Sequence, residues 1–215
     1  MVAKSLSWMY WRLTPTWLRL QRDKITFSRN YLNASGWSLS RKLGQSVDSK
    51  SSEIPWITYG ATDFLSSMTF ADYEVLEFGG GSSSLWWAKR CRKLTVIEHN
   101  EAWFQLLLGK LGGCTNVSVY KASSESGYVE FVDICSPDVI IIDGEFRNRI
   151  MDQIEKRFVG QLYPMPKVII IDNSDRMPKR VIDFCKNLNY LKIDFIGMSP
   201  INTYSSTTTI AIRWQ

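Results

Sequence analysis

The sequence predicts an α/β fold: a doubly wound, seven-stranded, mostly parallel sheet closed by an antiparallel C-terminal hairpin. Three features carry that expectation. Short apolar runs of strand length alternate with stretches of helical spacing from about residue 61 onward. Two of these runs, Val139–Ile142 and Val168–Ile171, are continuous and β-branched, as in strands covered on both faces. Residues 73–103, YEVLEFGGGSSSLWWAKRCRKLTVIEHNEAW, read as strand, glycine turn, helix, strand and acid, the unit with which parallel sheets build nucleotide pockets.

Composition narrows the function classes. The 215 residues suffice for one domain with a sizeable core. With 45% hydrophobic and 22% charged residues, disorder is not expected for most of the chain. No segment approaches the roughly 18 to 20 apolar residues of a membrane span. The single histidine, His99, excludes a multi-histidine metal site and argues against a serine triad. Cys91, Cys114, Cys135 and Cys185 form no C-x-x-C pair and read as reduced, structural residues of a cytoplasmic protein. Charge is uneven: residues 1–53 hold nine Lys/Arg against three Asp/Glu, whereas residues 54–215 hold 17 against 18. The basic character therefore belongs to the N-terminal segment, and no nucleic-acid partner is expected for the body.

Residues 1–22 mix Trp8, Tyr10, Trp11, Trp17 and Leu18 with Lys4, Arg12, Arg19 and Arg22, and contain no acid. That mixture suits peripheral contact with a membrane interface, a targeting peptide, or packing on the domain or a partner subunit. Pro15 limits any helix here to short pieces. Residues 23–53 are polar and rich in serine, as in an irregular linker or substrate lid. Two units follow: residues 1–53, a basic aromatic extension serving as lid, anchor or interface, and residues 54–215, the ligand-binding domain.

The domain begins with IPWITYG, in which Trp56 and Tyr59 either line a substrate mouth or pack in the core. An amphipathic helix over 61–68, with Phe64 and Leu65 inward, precedes a strand over 75–78 that contains Glu77. Gly79, Gly80 and Gly81 turn the chain into a helix over 84–91, and a second strand over 94–97 ends in Glu98. Asn100 caps a helix reaching Leu111, with Trp103, Phe104, Leu107 and Leu108 at helical spacing. Gly112 and Gly113 end it. A third strand over 117–120 leads into the loop Lys121-Ala122-Ser123-Ser124-Glu125. The fourth strand, 138–142, ends in Asp143-Gly144 and precedes a helix over 147–159. The fifth, 167–171, ends in Asp172-Asn173 and precedes a helix over 178–188. The runs 191–196 and 207–214 pair as the terminal hairpin.

The glycine turn discriminates between two ligand classes. A dinucleotide fingerprint, G-x-G-x-x-G, needs a third glycine where this chain has Ser84, and its pyrophosphate would be repelled by Glu77. A ligand with an amino group and a sulfonium would welcome that acid. Glu77-Phe78-Gly79-Gly80-Gly81 resembles motif I, E/D-x-G-x-G, of the class I S-adenosylmethionine-dependent methyltransferases. The resemblance implies their Rossmann-like fold over roughly residues 56–215, with S-adenosylmethionine as cofactor and Glu98 as the ribose-binding acid. It places Glu77, Gly79, Gly80, Gly81, Ser82, Glu98 and His99 in the cofactor site, with Ala122 and Ser123, and Glu125 beside them, in the loop that meets the adenine.

Asp143, Asp172 and Asn173 close the fourth and fifth strands and face the crevice at the carboxyl edge of the sheet. Two carboxylates and an amide suit Mg²⁺. The set is similar to the metal site of catechol-type O-methyltransferases, which makes Asp143, Asp172 and Asn173 candidate ligands and Asp143 the candidate catalytic residue. Phe146 stands where those enzymes carry a lysine base. The alternative is that Asp143 orients the methionine amine or a substrate while Asp172-Asn173 closes a turn or caps a helix. Arg147, Arg149 and Arg176 would bind an acidic substrate, or form a solvated cluster. The implied reaction is O-methylation of a small, acidic or sugar-like acceptor. An NAD-dependent oxidoreductase and a non-catalytic binding protein attached through its N-terminus are the rival readings.

Overall fold

The computed structural model describes residues 15–159 and 163–213. Two N-terminal helices, α1 (Thr16–Ala34) and α2 (Trp37–Leu43), precede α3 (Tyr59–Ser66) and the sheet. The strands are β1 (Glu74–Phe78), β2 (Lys93–Glu98), β3 (Val117–Lys121), β4 (Val139–Ile142), β5 (Val168–Ile171), β6 (Tyr190–Met198) and β7 (Ser205–Arg213). Between them run α4 (Ser82–Ala88), α5 (Glu101–Leu111), the short α6 (Glu125–Val129) and α7 (Phe131–Ile134), α8 (Arg147–Phe158) and α9 (Pro178–Asn187).

The strands lie in the order β3-β2-β1-β4-β5-β7-β6, with β7 antiparallel to both its neighbours and the rest parallel. This is the predicted doubly wound sheet with a C-terminal hairpin. The order reverses between β1 and β4, so a crevice opens at their carboxyl ends, where loops leave toward opposite layers. Strand alternation builds a core on each face. Leu76, Phe78, Ile140 and Ile142 pack against Tyr128, α8 and α9, whereas Val75, Val139 and Ile141 pack against α3, α4 and α5.

Local chemistry sets the ends of the elements. Asn100 Oδ1 accepts the Trp103 N–H at 3.1 Å and caps α5, as its sequence position predicts. Pro178 starts α9 at the position where a missing N–H costs nothing. Trp86 and Trp87 of α4 are buried edge to face, and Trp87 meets Phe70 with ring centroids 4.8 Å apart. Asp138 falls outside β4: its carboxylate takes the Glu74 N–H at 3.0 Å and pairs with Lys167 at 2.9 Å.

The N-terminal expectations need correcting. Residues 23–43 are largely helical rather than irregular, and Pro15 stands just outside a 19-residue helix instead of breaking it. Trp17, Leu18 and Leu20 are exposed on α1, while Lys4, Trp8, Tyr10, Trp11 and Arg12 lie outside the described residues. Among the described residues no helix is long and apolar enough to cross a membrane. α2 is tied to the hairpin loop: Trp37 Nε1 donates to the Asn202 carbonyl at 2.6 Å and Arg41 to that of Ile201 at 3.3 Å. These bonds bring the segment after α2 to the carboxyl edge of the sheet.

Candidate active site

The glycine turn after β1 is built by close approach. Gly79 has φ +88°, and a Cβ there would stand 2.5 Å from the Gly144 backbone in the loop after β4. At Gly80 a Cβ would meet Leu107 at 2.4 Å, which lets α5 close on the turn. All three glycine N–H groups are bonded within the protein: Gly79 to the Ile97 carbonyl at 2.9 Å, Gly80 to Glu98 Oε2 and Gly81 to Ser84 Oγ, both at 3.1 Å.

Glu98 closes β2 and is nearly buried, yet it lines the main cavity, of about 590 Å³. Its Oε1 takes the His99 N–H at 2.9 Å and the Asn100 N–H at 2.7 Å. His99 Nδ1 lies 3.2 Å from the same oxygen, and its ring meets Tyr128 and Phe146 edge-on. Gly79, Gly80, Gly81, Ser82, Glu98, His99 and Asp143 all face this cavity.

Glu77 does not face it, contrary to expectation. Leu76 and Phe78 point into one core layer, so Glu77 turns with Val75 to the other, beneath α4. It is fully buried, accepts a hydrogen bond from Ser84 Oγ at 2.5 Å, and leaves Oε1 without a partner among the described residues. Burial pushes its carboxyl up to about 7, against the pull of the nearby Ser83 and Ser84 hydroxyls. Glu77 therefore braces the turn through Ser84 and makes no contact with the cavity.

Ala122 and Ser123 also lie away from the cavity. Ala122 is buried in the core, Ser123 is exposed, and Glu125 pairs with Arg149 at 2.8 Å. The walls include residues that sequence reasoning left out: Gln45 and Ser46 from the N-terminal segment, and Trp103 and Lys110 from α5. Trp103 belongs to the helical spacing read for α5, and it is about half exposed. Of the two aromatic candidates, Tyr59 is core and Trp56 stands at the mouth.

A smaller cavity of about 250 Å³ adjoins the first and shares Trp56 and Asp143 with it. Asp172, Asn173, Asn202 and Tyr204 complete its lining. The three proposed metal ligands thus converge, but one oxygen of each is already taken by another partner. Asp172 Oδ1 accepts from Thr208 Oγ1 at 2.7 Å, and the Arg147 guanidinium reaches Asp143 Oδ1 and Asn173 Oδ1, each at 3.3 Å. A hard divalent ion does not fit a donor set that already encloses an arginine. No group of three or more His, Cys, Asp or Glu suited to a metal occurs among the described residues. The Mg²⁺ expected at Asp143, Asp172 and Asn173 therefore finds no support in the arrangement of these side chains. Burial and the neighbouring Asp172 push the Asp143 carboxyl well above its ordinary range, while Arg147 pulls it back. Arg149 and Arg176 line a separate cavity of about 300 Å³.

No protein-family model and no curated protein matches the sequence. Solved structures do match. A precorrin-6y C5,15-methyltransferase from Geobacter metallireducens is 15% identical, with 69% of this chain and 83% of that chain covered and a TM-score of 0.54. An rRNA methylase from Streptococcus thermophilus is 14% identical, with 73% and 96% covered and a TM-score of 0.54. These likenesses show the fold, which is the methyltransferase fold expected from the sequence.

Proposed function

We propose that the protein is an S-adenosylmethionine-dependent methyltransferase acting on an oxygen of a small hydroxylated or sugar-like acceptor. The state of the glycine turn carries the reading. A pyrophosphate would need the N–H groups of residues 79–81, and all three are bonded to protein oxygens. A nucleoside presenting hydroxyls needs an acceptor instead, and Glu98 offers one at the cavity wall. The fold shared with methyltransferases supports the same reading.

S-adenosylmethionine supplies an electrophilic methyl group on a positively charged sulfur. Glu98 takes the ribose hydroxyls, and the turn packs against the nucleoside. Asp143 borders both cavities, so the smaller one holds the acceptor. Asn173, Asn202 and Tyr204 offer amide and hydroxyl groups that match a polyhydroxylated molecule, and Trp56 offers a ring face. During transfer the acceptor O–H proton passes to Asp143, the oxygen forms its bond to the methyl carbon, and the carbon–sulfur pair returns to sulfur. The upward push on the Asp143 carboxyl suits it to hold that proton. Although one structural neighbour is an rRNA methylase, residues 54–215 of this chain hold 17 Lys/Arg against 18 Asp/Glu and so have no excess of positive charge with which to hold a phosphate backbone.

Methyl-labelled S-adenosylmethionine offered with free sugars, catechols and RNA tests the assignment. Label is expected on a hydroxyl oxygen of a small acceptor; transfer to RNA alone would overturn that part. Gly81→Ala tests the cofactor's position. Gly81 has φ −177°, and a Cβ there meets nothing within 4 Å, so unfolding free energy should stay within about 0.5 kcal/mol of wild type. The added methyl enters the cavity, and S-adenosylhomocysteine affinity should fall about tenfold, or ~1.4 kcal/mol, by calorimetry.

A further inference from the structure

We infer that Arg147 is a built-in cation that holds the oxygen cluster at the ends of β4 and β5 in place of a divalent ion. A guanidinium has five N–H groups, and here each finds an acceptor. Nε donates to the Gly144 carbonyl and Nη2 to the Asp143 carbonyl, both at 2.9 Å. Nη2 also reaches Asp143 Oδ1, and Nη1 reaches Asn173 Oδ1, each at 3.3 Å. The second Nη1 hydrogen goes to the Asp172 carbonyl. Two strand ends are thereby gathered around one permanent positive charge, whose side chain is only 16% exposed.

The backbone is shaped to deliver that group. Phe146, immediately before Arg147, has φ +55°, and Asn173 has φ +49°. A left-handed phenylalanine is costly, and such residues persist where the surroundings fix them. Phe146 is held by ring contacts with Tyr128 and His99, and its turn starts α8 so that Arg147 folds back over the strand ends. An incoming divalent ion would have to displace the guanidinium or stand beside it, and like charges at such a distance repel strongly. Arg147 is thus a positioning residue. It fixes one oxygen of Asp143 and leaves Oδ2, which has no hydrogen-bond partner among the described residues, to meet the acceptor.

The inference rests on Asp143 serving the acceptor, as proposed above. Its test uses neither cofactor nor acceptor, so the two can fail separately. Mn²⁺ uptake is read by electron paramagnetic resonance on wild-type protein, Arg147→Ala and Arg147→Lys. Wild type and Arg147→Lys are expected to take up no stoichiometric Mn²⁺. Arg147→Ala, with Asp143 and Asn173 released, should bind one equivalent at least about tenfold more tightly than either. One-to-one uptake by wild type would overturn the inference, and so would failure of a folded Arg147→Ala protein to gain it. If Arg147→Ala does not fold, uptake by Arg147→Lys as the charge is kept would overturn it, and exclusion by both charged forms would support it. Absence of S-adenosylhomocysteine binding to wild type in a separate titration would instead count against the cofactor assignment.

Discussion

Glu98→Ala should weaken S-adenosylhomocysteine binding by about a hundredfold, roughly 3 kcal/mol. The carboxylate has two duties. It accepts N–H groups from Gly80, His99 and Asn100, which fixes the turn and the start of α5 beside the ligand. It also presents its remaining lone-pair capacity to the cavity, where hydrogen bonds to a charged acceptor are stronger than neutral ones. Alanine removes both at once. Glutamine keeps one acceptor oxygen but turns an NH₂ toward protein N–H donors, so Glu98→Gln should fall between the two. Calorimetry gives the affinities, and circular dichroism checks that the fold survives. An Ala variant with wild-type affinity would remove Glu98 from the cofactor site.

Glu77→Gln should alter the pH dependence of stability more than any other single change at the turn. Burial raises the Glu77 carboxyl from 4.5 to about 7 in the folded protein. The folded state therefore binds a proton more tightly than the unfolded chain. Its stabilising contribution is fully present below about 4.5 and is lost as pH rises through about 7. Across that window the loss amounts to roughly 3 kcal/mol. Glutamine carries no titratable proton, so the variant lacks this slope. Denaturant unfolding at pH 5 and pH 8 should show Glu77→Gln gaining stability relative to wild type at the higher pH. Parallel curves for the two proteins would mean that Glu77 is not held as the structure places it.

Much of the sheet was legible because both of its signals are local. Val139–Ile142 and Val168–Ile171 are buried throughout, and Asn100 caps its helix with its own side chain. The side of the sheet that Glu77 faces was harder to read. β1 is buried on both faces, so hydrophobicity did not distinguish them, although strict alternation with Leu76 and Phe78 held the answer. Other features depend on contacts distant in sequence. Gln45 and Ser46 reach the cavity because Trp37 bonds Asn202, 165 residues away. Arg147 could be placed near the crevice from sequence, but its five bonds depend on a left-handed Phe146 that no propensity predicts. The same dependence explains why the metal expectation finds no support in the structure. Three oxygen-bearing residues at strand ends do suit Mg²⁺, and only the fold reveals that a guanidinium lies among them.

The central claim is that this glycine turn serves a sulfonium nucleoside and not a pyrophosphate. Calorimetric titration of the wild-type protein with S-adenosylhomocysteine and, separately, with NAD tests it most directly. Saturable one-to-one binding of S-adenosylhomocysteine with no heat of binding from NAD is the expected result. Binding of NAD, or no binding of S-adenosylhomocysteine, would contradict it.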